Sequence, residues 1–296
     1  MKNLLIATTA LVATAGFAAA DVTLSGAANV GVFNNGFAGA DTIMYNNVSV
    51  TAAMSGETDG GLTFGASLSI RAGDNVDLDV GDLQTNEATE LELTASDDLS
   101  ATSLGNIYVS GDFGKLTFDN NGIDNLMDDG FVHDVSYAGT FGALAVSATA
   151  NIDGGPQLAD GGDFSVKLAY SADGLSASVV TDDSSDYDAT VGYALNDMIT
   201  ASVNYDTDGQ AAGSETTVKV AYSSDGVTAS LAMMDEDINE WAVALGYAAN
   251  GMAINVAVDD GGSEDLTVSY DLGGGMTINA ATNETGAFFV GSKMTF

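Results

Sequence analysis

From Glu215 to Leu231 apolar and polar positions alternate one for one. Val218, Val220 and Tyr222 fall on one side, and Thr217, Lys219 and Ala221 on the other. A period of two is the pattern of a strand with two different faces. Ser223-Ser224-Asp225-Gly226 interrupts it with turn chemistry, Gly being free to take a positive φ. The alternation then resumes, with Val227, Ala229 and Leu231 against Thr228, Ser230 and Ala232. The stretch predicts one β-hairpin with a tight turn.

The unit recurs. Tyr170, Tyr193, Tyr222 and Tyr247 each stand shortly before a short turn segment, and Tyr137 and Tyr270 do so in looser copies. All six share parity with the apolar side of their strands. Six aromatics at one height on one face predict a girdle, the device that membrane barrels place at the water–lipid boundary.

Taken in order, the pattern predicts strands at Val22–Phe33, Met44–Met54 and Leu62–Ala72, then a hairpin of Asn106–Gly111 with Lys115–Asp119. Hairpins follow at Asp134–Ile152, Phe164–Asp182, Tyr187–Asp206, Glu215–Asp235, Asn239–Asp259 and Glu264–Thr282, and a last strand lies in Gly286–Phe296. Gly73–Leu104 reads as an acidic loop, including the strand-like piece within Glu87–Ala95, and Asn120–His133 as another. Short turns alternate with longer acidic loops, as in bacterial barrels with short periplasmic turns and longer external loops. The expected fold class is all-β: a transmembrane antiparallel β-barrel of 16–18 strands, eighteen by direct count.

Composition narrows the setting. Residues 1–20 open with Met1-Lys2-Asn3, run apolar from Leu4 to Ala19 and end in Ala18-Ala19-Ala20, the pattern of a secretory signal peptide cleaved after Ala20. Residues 21–296 then form one barrel domain. No other apolar run nears the ~20 residues of a spanning helix, so membrane residence requires a closed barrel. Cysteine is absent, which excludes disulfides and Cys-based sites. Six basic residues face 42 acidic ones. Such a chain does not bind nucleic acid by neutralising phosphates, and its field attracts cations. The five basic residues after Lys2 are Arg71, Lys115, Lys167, Lys219 and Lys293. Parity opposes each to an apolar neighbour and so points all five into the lumen. Keeping each off lipid avoids ~2–4 kcal/mol at mid-bilayer.

Several stretches carry a resemblance: Val22-Thr-Leu-Ser-Gly26, Met54-Ser-Gly-Glu-Thr-Asp-Gly-Gly-Leu-Thr-Phe-Gly-Ala-Ser67, Val109-Ser-Gly-Asp-Phe-Gly-Lys115, Ser269-Tyr-Asp-Leu-Gly-Gly-Gly275 and Lys293-Met-Thr-Phe296. On these the chain resembles the general porins of Gram-negative outer membranes, most closely the Rhodobacter-like alphaproteobacterial ones. The resemblance implies an outer-membrane location, a sixteen-stranded homotrimer and contacts with the bilayer and lipopolysaccharide. It also implies insertion by the outer-membrane assembly machinery, with Phe296 as the assembly mark. It further implies that the loop after the fifth strand folds inward as an acidic constriction. That loop corresponds to 119–134 and supplies Asp119, Asp124, Asp128, Asp129 and Asp134. The family's basic cluster on the opposite wall has no counterpart here.

Catalysis finds no foothold. His133 is the only histidine, and a Ser–His–Asp arrangement would have to rest on it alone, so no catalytic residue is expected. Acidic groups such as Asp182-Asp183…Asp186…Asp188 and Asp259-Asp260…Glu264-Asp265 offer hard oxygen ligands for weak calcium binding. They follow no recognised loop spacing, and no cofactor or resident metal is expected. The expected function is a passive, cation-selective channel for ions and small hydrophilic solutes. The alternative is a secreted acidic all-β surface or adhesion protein that binds calcium.

Overall fold

The computed structural model describes residues 21–36, 41–74, 101–127, 132–152, 163–183, 186–207, 214–235 and 239–296. Strand β1 (Asp21–Asn34) precedes eight hairpins. The first four are β2 (Ile43–Glu57) with β3 (Thr63–Gly73), β4 (Ala101–Gly111) with β5 (Gly114–Asp124), β6 (Val132–Phe141) with β7 (Leu144–Ala150), and β8 (Phe164–Ala172) with β9 (Leu175–Asp182). The second half adds β10 (Tyr187–Ala194) with β11 (Ile199–Asp206), β12 (Glu215–Ser224) with β13 (Val227–Asp235), β14 (Asn239–Ala249) with β15 (Met252–Asp259), and β16 (Glu264–Gly273) with β17 (Met276–Thr282). After β18 (Phe288–Thr295) the sheet returns to β1, with Ala27 opposite Thr295 and Asn34 opposite Phe288. The result is a closed antiparallel barrel of 18 strands, the hairpin count rather than the sixteen implied by resemblance. Backbone hydrogen bonds between Gly26 and Phe296 carry the β1–β18 seam one residue further.

The two faces separate as the alternation requires. Val218, Val220 and Tyr222 are open on the outer face, and Val220 lies directly opposite Leu231. Lys219, one residue away, lies opposite Ser202 and Ala232. The outer wall is apolar, as a lipid-facing barrel surface is. The inner wall is polar and small, as a water-filled lumen requires.

Turn chemistry sets the hairpins. Asp225 and Gly226 have φ of 49° and 79°, and Ser224 pairs directly with Val227. The loop is therefore two residues long, with positive φ at both, the geometry that matches strand twist. Ser223 and Ser224, read from sequence as turn, belong to β12. Asp173-Gly174 and Asn250-Gly251 repeat this turn.

At the loop end, the β1–β18 seam carries an aromatic cluster inside the wall. Tyr45 packs against Phe33 at 6.2 Å and Phe289 at 5.4 Å between ring centroids, and all three are buried. Gly31 and Gly291 make room for it, since a Cβ at Gly31 would stand 2.8 Å from the Tyr45 ring.

Several boundaries differ from the sequence expectation, most of all around the second and third hairpins. β4 begins at Ala101 because a register slip between Ala66 and Leu68 lets it pair up to Arg71. β5 runs on to Asp124 and β6 starts at Val132, so 125–131 rather than Asn120–His133 separates them. The strand continues past Phe118 because 119–122 bulge out of register. At the loop end, the strands on either side of 183–186, 236–238 and 260–263 are no further apart in sequence than those joined by the turns. The leader 1–20 and the piece at Glu87–Ala95 lie outside the described residues.

Candidate pore and its lining

Residues directly opposite across a strand pair share a face, so register fixes which side chains line the pore. Arg71 stands opposite Ser49, Lys115 opposite Ser110, Lys167 opposite Ser147, Lys219 opposite Ser202, and Lys293 opposite Asn29 and Thr277. All five lie on the polar face, scattered around the barrel. Lys115 Nζ sits 4.5 Å above the centre of the Tyr108 ring, a cation–π arrangement beside its tight turn.

The described turn after β5, residues 125–127, lies against the inner wall. Leu126 donates its backbone N–H to Ser165 Oγ on β8 at 2.9 Å. Ser165 Oγ lies 2.6 Å from Thr149 Oγ1, which lies 2.7 Å from His133 Nδ1. Ser165 and His133 are fully buried, and among the described residues His133 Nε2 has no partner. Asn125 Oδ1 accepts the Met127 N–H at 2.7 Å and tightens the turn. His133 is therefore a wall residue in a hydroxyl chain.

The five acids of 119–134 do not behave as one group. Asp119 and Asp124 are strand residues at the bulge, and Asp124 lies opposite Val132. Asp134 is buried and accepts the Ile152 N–H at 2.9 Å, so it holds backbone rather than lining water. Asp128 and Asp129 lie outside the described residues.

A second acidic set emerges that sequence reading placed in loops or passed over. Asp188 stands directly opposite Asp206, and Asp206 opposite Glu215. Three carboxylates thus run side by side on β10, β11 and β12 at the loop end of the inner wall. Like charges directly opposite are destabilising, and water in the lumen moderates the cost. Polar neighbours help hold them: Asn204 donates to Asp188 Oδ1 at 2.8 Å, and Thr217 to Glu215 at 2.9 Å. Asp182, opposite Ser165, is buried on the same face. The signal in sequence was a carboxylate within two positions of a strand end beside these loops. Among the described residues no three His, Cys, Asp or Glu side chains gather as a metal-ligand set.

Outside, Tyr170, Tyr193, Tyr222, Tyr247 and Tyr270 are exposed close to the short turns. Tyr137 stands further from its turn, opposite Ala148, and donates to the Phe113 carbonyl at 2.7 Å. Phe164, Tyr187, Tyr205 and Trp241 are exposed on the outer face toward the loop end. Sequence reading had not grouped these four. Tyr187 and Tyr193 on β10 are six positions apart, as are Trp241 and Tyr247 on β14, about 20 Å along a strand at ~3.3 Å per residue. Phe296 is exposed at the seam.

Comparison with solved structures agrees with this architecture. A mutant form of the Rh. blastica porin aligns with a TM-score of 0.52 at 17% identity, over 93% of this chain and 100% of that one. Two further mutant forms of the Rhodopseudomonas blastica porin give TM-scores of 0.52 and 0.53 at 16% identity, with the same coverage. No individually curated protein matches. A sequence profile described as Gram-negative porin matches residues 7–287. With that profile spanning nearly all of a chain that folds as a closed barrel, the chain belongs to the Gram-negative porin family.

Proposed function

We propose that this outer-membrane porin passes ions and small hydrophilic solutes passively and favours cations. The observation that carries the reading is the acidic run Asp188–Asp206–Glu215 on the inner wall, faced by dispersed basic residues. Fixed charge in a water-filled passage with low-dielectric walls enriches counter-ions, and acidic rings are how cation channels select. The tether from Leu126 to Ser165 supports an inward course for the segment after β5, which would narrow the passage. The proposal includes homotrimers, leader removal after Ala20, a role for Phe296 in assembly, and girdles of Tyr170, Tyr193, Tyr222, Tyr247 and Tyr270 below and Phe164, Tyr187, Tyr205 and Trp241 above. The test is the reversal potential of reconstituted channels under a potassium chloride gradient. A potassium-selective value is expected, and an anion-selective one overturns the reading.

A further inference from the structure

The inner wall from β7 to β10 is hollowed into a recess of about 450 Å³. Small side chains make the hollow, among them Ala145, Ala169 and Ser178, with Lys167 on one side and Thr190 on the other. Lys167 has no hydrogen bond or ion pair among the described residues. In a chain with 42 acids against six basic residues, a cation left without a carboxylate is available to a solute.

A fixed negative group completes the place. Lys167 stands opposite Val180, and Val180 opposite Asp188. Lys167 and Asp188 therefore share one rung and one face, about 10 Å apart at two strand spacings. Asp188 Oδ1 accepts Asn204 Nδ2 at 2.8 Å and the Thr190 hydroxyl at 3.4 Å, and Asn204 Nδ2 also reaches Thr190 Oγ1 at 2.9 Å. The carboxylate is held in place by the residue that lines the far side of the recess. Lys167, on a flexible four-carbon stem, can close the gap to a bound group.

We infer that the recess is a subsite for small zwitterions, taking the solute's carboxylate at Lys167 and its ammonium at Asp188. A plain anion would meet Asp188 and the run behind it, a plain cation would meet Lys167, and an uncharged solute would use neither. The wall is wet, so each contact is worth no more than an exposed ion pair. Weak holding is what a conducting site needs, since the solute must also leave. The inference rests on the channel reading and deepens it with a solute class.

Single-channel recordings of the full protein in planar bilayers test it, with current noise and block read against three probes of similar size. These are glycylglycine, the anion N-acetylglycine and the neutral N-acetylglycinamide. Glycylglycine should bind more tightly than either of the others. Lys167→Met and Asp188→Asn should each weaken it by roughly three- to fivefold, the range of one exposed ion pair. The double exchange Lys167→Asp with Asp188→Lys should restore it, which a merely structural role for either residue would not do. Equal binding of all three probes, or no loss in Lys167→Met, overturns the subsite while leaving potassium conductance in place. N-acetylglycine binding as well as glycylglycine reduces the recess to an anion site and also overturns it. Absence of potassium conductance in the native protein removes the channel reading and the subsite together.

Discussion

Leu126 donates its backbone amide to the hydroxyl of Ser165, 39 positions away and three strands around the barrel. Ser165 passes the contact to Thr149, and Thr149 to His133. Removing the hydroxyl in Ser165→Ala takes the acceptor from the part-buried Leu126 amide and leaves Thr149 with His133 alone, costing ~1–3 kcal/mol. The expected outcome is a noisier and larger single-channel conductance with a modestly lower melting temperature in detergent. Native-like traces from Ser165→Ala would show that this tether does not shape the passage.

Selectivity should follow the acids that register brings together. Replacing Asp188, Asp206 and Glu215 by Asn, Asn and Gln should move the reversal potential toward zero more than replacing Asp183 and Asp186 by Asn. The native preference should also fade as the Debye length falls from ~10 Å at 0.1 M salt to ~3 Å at 1 M. Equal effects of the two sets would remove the inner-wall run from the selectivity mechanism.

Facing is testable on adjacent residues. Val220 is exposed on the outer wall, whereas Ala221 lies opposite Thr200 and Ser230. Val220→Arg sets a charge in lipid, costing ~2–4 kcal/mol near mid-bilayer, and Ala221→Arg sets one in water. Only the first should lower the yield of folded barrel on a detergent gel run without boiling. Matching yields would contradict the assignment of the faces.

Two glycines with the same conformation should respond differently. Gly174 and Gly226 have φ of 80° and 79°, a region that asparagine tolerates better than most residues. A Cβ on Gly174 finds ordinary contacts at 3.6 Å, whereas one on Gly226 runs into the Ala248 carbonyl. Gly174→Asn should therefore cost under ~1 kcal/mol, and Gly226→Asn ~1–3 kcal/mol, as the strain forces a backbone shift. Unfolding by guanidinium in detergent would separate them, and equal midpoints would refute the contact argument.

Phe296 combines an exposed ring with a backbone that pairs with Gly26. Phe296→Ala keeps the pairing and removes the ring. Outer-membrane yield should fall while molecules that do assemble conduct normally. Unchanged yield would leave the ring as one more outer aromatic.

Much of this was legible in the sequence where local chemistry decides it. From Phe164 onward the hairpin limits fall where alternation and turn segments rich in Asp, Asn and Gly set them, and the facing of Lys219 follows from Val218 and Val220. The bulge after Phe118 was not legible, because residues out of register break the period without turning the chain. Nor was the Asp188–Asp206–Glu215 run. Register across a loop depends on how the loop folds, and the three residues are separated by two connections. Asp134 looked like its acidic neighbours, and only the position of the Ile152 amide turns it inward to backbone. Phe289 and Tyr45 meet across the seam, a contact no local pattern encodes.

That seam also imposes a timetable. Ala27 finds its partner in Thr295, so β1 keeps a bare edge until β18 exists, and β18 in turn has nothing to close against unless that edge has been kept vacant. An open sheet with two raw borders recruits strands from any chain nearby. The molecule thus spends its youth as a template for its own aggregation. Contacts this distant in sequence form slowly because loop-closure entropy precedes their reward. Covering those edges from outside the chain would lower that risk before closure, and the Phe33–Tyr45–Phe289 cluster can form only once β18 has reached β1.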